Sequence, residues 1–239
     1  MRDIRFFDGQ VQAFQPNTGY LAGTDTGLLA ASLEAKAGAR VLELGTGSGA
    51  ALLMANHHLE NCHFTGVDQN PDMLTLARKN TQDFENIEIV EGDVGALPKH
   101  WHLQFDQVFA NPPYFDDGGK VRMSAAKAPS FVAGATKLPD WIASMLVTLK
   151  PRGTGALIYR ADGLELILAS LLGKAGRIRI LPVQSFADEP AKRVIVQFRK
   201  GVKSESALLP ALVLHTRDGD GKFTPEAAAI LAGKCPLRL

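Results

Sequence analysis

The run Val41-Leu42-Glu43-Leu44-Gly45-Thr46-Gly47-Ser48-Gly49 carries an apolar strand straight into a glycine-rich turn. Ala50 to Ala55 continues as a helix, and a second apolar strand, Cys62 to Val67, ends at Asp68. Strand, turn, helix and strand in this order form one βαβ unit. Glycines at 45, 47 and 49 let a ligand approach the backbone, and the helix N-terminus favours polar or negative groups. An acidic side chain closing the second strand can accept two hydrogen bonds from ribose hydroxyls. The unit therefore binds a nucleoside-containing cofactor.

Glycine spacing leaves the cofactor open. Gly45-x-Gly47-x-x-Ala50 with Asp68 satisfies the dinucleotide fingerprint. Two features favour S-adenosylmethionine. Glu43, two residues before the first glycine, can order a cationic methionine end, and Gly49 makes the tighter Gly-x-Gly-x-Gly run. Another acidic residue, Asp93, follows the strand-like Ile87 to Gly92 and can bind an adenine amino group.

Asn111-Pro112-Pro113-Tyr114 closes a further buried strand, Phe105 to Ala110. Two prolines remove two backbone donors and fix two φ angles, so strand pairing stops there. The loop is stiff and lies at a strand's C-terminal end, the edge where open α/β sheets bind ligands. The Asn111 amide oxygen and the Pro112 carbonyl are both acceptors and can hold a planar NH2 group. Pro113 stiffens the loop against that substrate, and Tyr114 can stack on the flat group bearing the amine. A dehydrogenase does not explain this tetrapeptide; a methyltransferase explains both motifs.

Glu43 to Gly49, Asp68, Asp93 and Asn111 to Tyr114 resemble the ordered motifs of class I amino-methyltransferases. Gln15-Pro16-Asn17-Thr18-Gly19-Tyr20-Leu21-Ala22-Gly23-Thr24-Asp25 is similar to the segment before the first strand in the tRNA(Val) adenine methyltransferase family. Leu214-His215-Thr216-Arg217-Asp218-Gly219 through Phe223-Thr224-Pro225-Glu226 resembles that family's ending. The resemblance implies N6-methylation of the adenine at position 37, beside the anticodon of a valine tRNA. It also implies that Asp25 serves the cofactor and that Tyr20 lines the cofactor or acceptor pocket, a packing role being the alternative for Tyr20. Alternatives are a protein glutamine N5-methyltransferase acting on a release factor, methylation of rRNA or another RNA amine, and a non-catalytic cofactor-binding module.

Alternating strands and helices predict an α/β fold, Rossmann-like, with a mostly parallel twisted sheet covered on both faces and an antiparallel edge hairpin. Helices are predicted from about Asp25 to Lys36, from Asp72 to Asp83 after Pro71, and from Leu138 to Leu149, the last stopped by Lys150-Pro151-Arg152-Gly153. Strand-like runs at 156–159, 178–181 and 194–198 follow, and Gly118 to Pro129 reads as a loop. At 239 residues and 46% hydrophobic, the chain can bury one core. One domain over 1–239 is expected: an N-terminal extension and helix to residue 39, a core sheet over 40–200, and a tail with a short helix.

Net charge is +1, but its distribution is uneven. Residues 1–110 carry 7 Lys+Arg against 14 Asp+Glu, and residues 111–239 carry 19 against 11. Lys174 to Lys203 holds eight basic residues against Asp188 and Glu189. The cluster reads either as a solvated basic face or as an RNA-backbone footprint, with Arg193 and Lys200 among its phosphate contacts.

Other residues carry blander readings. His57-His58 suits a helix C-terminus better than a metal site, because helix neighbours point apart. Asp116-Asp117 reads as a turn, and methyl transfer needs no metal. Trp101 and Trp141 can stack on bases, with packing the stronger reading for Trp141. Ser48 and Ser124 have no triad partners. Cys62 and Cys235 show no CxxC pattern and read as free thiols in a reducing compartment. No apolar stretch spans a membrane, and Met1 to Arg5 lacks a signal peptide's apolar core. A cytoplasmic, metal-free enzyme is expected, with the oligomeric state left open between a monomer, which is favoured, and a larger assembly.

Overall fold

The computed structural model describes residues 1–18, 21–114, 136–218 and 222–239. Its centre is a sheet in which β5 (Ile87–Glu91), β4 (His63–Asp68), β3 (Arg40–Leu44), β6 (Phe105–Ala110) and β7 (Leu149–Arg160) lie side by side in that order, all parallel. The order reverses direction of growth at β3, so β3 and β6 form the topological switch point where α/β sheets bind ligands. Next to β7 come β9 (Arg193–Lys200) and then β8 (Ala175–Gln184), each antiparallel to its neighbour. This is the expected antiparallel hairpin. It is not the last edge, because β10 (Ala207–Leu208) and β11 (Leu212–Val213) add to β8 in parallel. The sheet thus runs on past Lys200.

The strands are apolar on both faces, as buried parallel strands must be. Successive side chains alternate sides. Val41, Phe109, Ala156, Ile158 and Ile195 pack with α1 (Thr24–Ala31), α2 (Ala50–His58) and α6 (Pro225–Leu231). Leu42, Leu44, Val108, Leu157 and Val196 pack with α4 (Leu138–Thr148) and α5 (Leu164–Leu171) on the other face. The helix α3 is Pro71–Thr81, with proline in its first turn and the Asn70 side chain accepting from the Asp72 and Met73 amides. That is an N-cap followed by the residue that tolerates a missing N–H.

Three elements depart from the sequence reading. Arg2–Phe6 and Val11–Gln15 form an antiparallel hairpin, β1 and β2, turned by Phe7, Asp8 and Gly9, all at positive φ. α1 stops at Ala31 rather than near Lys36, because the Ser32 hydroxyl donates to the Leu29 carbonyl and competes with the helix. β7 begins at Leu149, with no gap after α4. Lys150 to Gly153 does not interrupt the chain; it swells into a bulge, since Phe105 faces Leu149 but Gln107 already faces Thr154. A bulge accommodates Pro151 and the positive φ of Arg152. The Lys150 ammonium pins it with 2.8 Å bonds to Asp106.

Among the described residues no helix is long and apolar enough to cross a membrane.

Candidate active site

Parallel strands deliver their following residues to one edge. Leu44 is level with Ala110 on β6 and with Val67 on β4. The glycine turn, Asp68 and Asn111 are therefore neighbours along the same rim.

The turn is built by glycine and by what surrounds it. Gly45, Gly47 and Gly49 have φ of 67°, 55° and 78°, a region that L side chains rarely adopt. A Cβ on Gly45 would also lie 2.5 Å from the Trp141 ring. Trp141 is buried there, its indole N–H donating to the Thr136 carbonyl; it is packing, as expected. Within β4, a Cβ on Gly66 would collide with Leu52 and Thr46, so the turn lies directly across that strand. The Thr46 amide donates to the Val67 carbonyl at 2.9 Å, and the Gly47 amide to Asp68 Oδ2 at 2.8 Å. Asp68 Oδ1 accepts from the Asn70 amide. A carboxylate retains further lone pairs beyond these two bonds.

Glu43 is 3% exposed. Its Oε2 accepts from the Thr46 hydroxyl at 2.7 Å. Burial pushes its pKa well above the ordinary value; the Thr46 bond opposes this, the negative charge of Asp68 adds to it, and a Leu52 backbone bond opposes it. A carboxylate so desolvated favours a positively charged neighbour. Asp93 accepts from the Gly95 amide at 2.8 Å and from the Thr136 hydroxyl at 3.2 Å. It borders a recess lined by Gly95, Thr136, Lys137, Asp140 and Ser144.

Asn111 and Tyr114 are half-buried, Pro112 is buried and Pro113 is exposed. The Tyr114 hydroxyl donates to Asp25 Oδ2 at 2.6 Å. Arg193 Nε–H points at both, 2.9 Å from Asp25 Oδ2 and 2.9 Å from the Tyr114 oxygen. The Arg193 guanidinium also lies over the Tyr114 ring, 4.5 Å from its centroid. Tyr159 meets that ring at 5.4 Å in an edge-on contact.

A family model described as a methyltransferase domain matches residues 35–178. The tRNA1(Val) (adenine(37)-N6)-methyltransferase of Aeromonas salmonicida is 34% identical over 203 residues, covering 82% of this chain and 83% of that protein. The protein of the same description from Histophilus somni is 35% identical over 184 residues, covering 71% and 78%.

The chain belongs to the methyltransferase family.

A solved structure from Agrobacterium tumefaciens, described as a predicted O-methyltransferase, Atu636, superposes with a TM-score of 0.74 at 24% identity, covering 90% of this chain and 99% of that one. At that identity it speaks for the fold alone.

The methyl donor of this methyltransferase is S-adenosylmethionine. The site suits it: a glycine turn open to backbone approach at Gly47, where a Cβ would meet nothing within 4 Å, carboxylates following two adjacent strands, and the buried carboxyl of Glu43 facing a need for positive charge. Sequence reasoning missed Thr46, Gly66 and Tyr159. Only Gly66 had a local signal, a glycine inside a strand, which marks close approach of another backbone.

The basic cluster divides in the methyltransferase. β9 runs antiparallel to β7, so Arg193 is level with Arg160 at the active rim. Lys200 lies at the other end of the strand, roughly 24 Å away at about 3.4 Å per residue. Its ammonium donates to the Leu149 carbonyl at 2.7 Å, and burial lowers its pKa. Arg199 donates to the Arg152 carbonyl. On the side of the rim, Lys192 pairs with Glu189, and Arg217 with Asp188 and Glu189. Arg193 and Lys200, grouped by sequence, thus stand at opposite ends of β9. Asp25, expected on the cofactor, has its carboxylate engaged by Tyr114 and Arg193.

The remaining residues take structural positions. Trp101 is buried edge-on against Phe105. His57 and His58 occupy the last turn of α2, with His58 Nδ1 3.0 Å from the Met54 carbonyl. Cys62 is buried and Cys235 exposed, both as thiols. Tyr20, Asp116-Asp117, Ser124 and the Gly118 to Ala135 segment lie outside the described residues.

Proposed function

We propose that this methyltransferase transfers a methyl group to the exocyclic N6 of an adenine in tRNA, the adenine at position 37 beside the anticodon of a valine tRNA. The observation that carries the reading is Asn111-Pro112-Pro113-Tyr114 closing β6 beside the Gly45 to Gly49 turn. The names of relatives at 34% and 35% identity support the RNA and the nucleotide.

Glu43 would meet the cationic methionine end of the donor, Gly47 would admit it to the backbone of the turn that Gly45 and Gly49 shape, Asp68 would accept from the ribose hydroxyls, and Asp93 would accept from the adenine amino group. Bound there, S-adenosylmethionine supplies a methyl carbon made electrophilic by its sulfonium. The acceptor amine is a poor nucleophile because its lone pair is delocalised into the ring. The Asn111 side-chain oxygen and the Pro112 carbonyl accept its two hydrogens. Those bonds favour a pyramidal nitrogen and offset the positive charge growing on it, so they strengthen toward the transition state. Tyr114 orients the ring, and a base inside a folded tRNA must leave its stack to reach it. Positioning supplies the rest. No covalent intermediate on the protein is needed.

The test is nucleoside mass spectrometry of tRNA from a strain lacking the gene. One N6-methyladenosine disappears and returns with the wild-type gene but not with Asn111→Ala. An unchanged tRNA profile overturns the proposal.

A further inference from the structure

We infer that Asp25 and Arg193 form a charge-neutral clamp that holds Tyr114 against the acceptor, with Asp25 cancelling a cation that would otherwise oppose methyl transfer. The inference rests on the amino-acceptor reading of the tetrapeptide and gives that site two further positioning residues.

Three distant segments meet in the clamp. Asp25 stands in the first turn of α1, Tyr114 follows β6, and Arg193 opens β9. One carboxylate oxygen, Asp25 Oδ2, accepts from both the Tyr114 hydroxyl and Arg193 Nε. The guanidinium adds the 4.5 Å contact over the ring. Asp25 and Arg193 side chains are only 27% and 30% exposed, so the pair is poorly screened. Burial alone would lower the Arg193 pKa, but Asp25 and Tyr114 outweigh it and raise it. The guanidinium therefore keeps its charge.

That charge bears on the chemistry at Asn111, three residues before Tyr114. Methyl transfer puts positive charge on the acceptor nitrogen. A bare guanidinium stacked on the ring that orients the acceptor would repel it. The Asp25 carboxylate neutralises the guanidinium, so Tyr114 gains a rigid cover without that repulsion. Arg193 acts through Tyr114 and does not need to touch RNA phosphate.

The two roles separate on a cycle of Asp25→Asn, Arg193→Gln and the double variant, with Tyr114→Phe beside them. Melting temperature and S-adenosylmethionine affinity are measured on each to verify folding. Asp25→Asn leaves the cation uncompensated, and single-turnover methylation is expected to slow roughly ten- to thirtyfold. The double variant removes the cation as well and is expected to recover a large part of that rate. Tyr114→Phe keeps the ring and loses the shared hydroxyl, and its effect should not add to that of Arg193→Gln. Arg193→Gln should keep the wild-type salt dependence of tRNA binding. Additive losses without recovery in the double variant overturn the clamp. So does a salt slope flattened by about one unit in Arg193→Gln, which makes Arg193 a phosphate contact. Wild-type turnover on tRNA tests the tRNA reading by itself. If the acceptor is a peptide glutamine, the same four proteins are compared on that peptide and the same recovery is expected.

Discussion

Gly45 lies against Trp141 so closely that a Cβ on residue 45 would be 2.5 Å from the indole ring. The glycine turn thus rests on a side chain of α4, a helix whose other core residues pack the far face of the sheet. Its φ of 67° adds a backbone reason for glycine. Gly45→Ala is expected to destabilise the protein by about 1–3 kcal/mol through overpacking and left-handed strain. Cofactor affinity should fall with it. Adding Trp141→Phe should relieve the contact but not the strain, and so recover part of the melting temperature. Thermal unfolding checks both. An alanine variant as stable as wild type would show that the ring moves aside freely.

Asp68 serves the turn before it serves any ligand, through its bond from the Gly47 amide. Asp68→Ala removes that bond together with the proposed acceptor for ribose hydroxyls. S-adenosylmethionine affinity should drop by roughly tenfold or more, as hydrogen bonds to charged groups are worth about 1.5–3 kcal/mol. Calorimetry reads the loss. Tight binding of a nicotinamide dinucleotide, with no response to S-adenosylmethionine, would return the glycine turn to a dehydrogenase reading.

Burial of the Glu43 carboxyl sets a cost that a cationic ligand end would relieve. Burial raises its pKa in the folded state, with Thr46 opposing. The folded protein therefore holds this proton more tightly than the unfolded chain. Stability contributed by Glu43 is greatest below the ordinary glutamate pKa and declines as pH rises from there through the raised value. Glu43→Gln removes the decline. The variant should be more stable than wild type at neutral pH, with the difference vanishing in acid, and should bind S-adenosylmethionine more weakly. Wild-type affinity should rise with pH as the carboxyl ionises. Parallel unfolding curves for the two proteins at all pH values would contradict the assignment.

Asn111→Ala is expected to lower turnover roughly 10²–10³-fold, by analogy with loss of a single preorganised oxyanion-hole group. Cofactor affinity should be nearly unchanged, because the amide is proposed to act on the acceptor amine. Stopped-time methylation assays with calorimetry alongside check it. Equal loss of cofactor binding would make Asn111 a structural residue of the rim.

Much of this site is legible in the sequence because its signals are local. The Gly45 to Gly49 turn between two apolar strands specifies a crossover unit, and Pro112-Pro113 dictates where β6 stops pairing. The hairpin of β1 and β2 has only a weak local signal, Asp8-Gly9 before the alternating Val11, Ala13 and Gln15. The bulge at Lys150 to Gly153 was hidden because its stabilising partner, Asp106, is 44 residues away. The Asp25, Tyr114 and Arg193 clamp spans separations of 89, 79 and 168 residues, and no periodicity connects them. Charge counting grouped Arg193 with Lys200, but one antiparallel strand carries them to opposite edges.

The most direct measurement is methylation of an unmodified valine tRNA transcript by the purified protein with S-adenosylmethionine, followed by nucleoside mass spectrometry. The account predicts one N6-methyladenosine per tRNA, lost when guanine replaces the adenine at position 37. Methyl incorporation into a glutamine-bearing release-factor peptide with none into tRNA would contradict it.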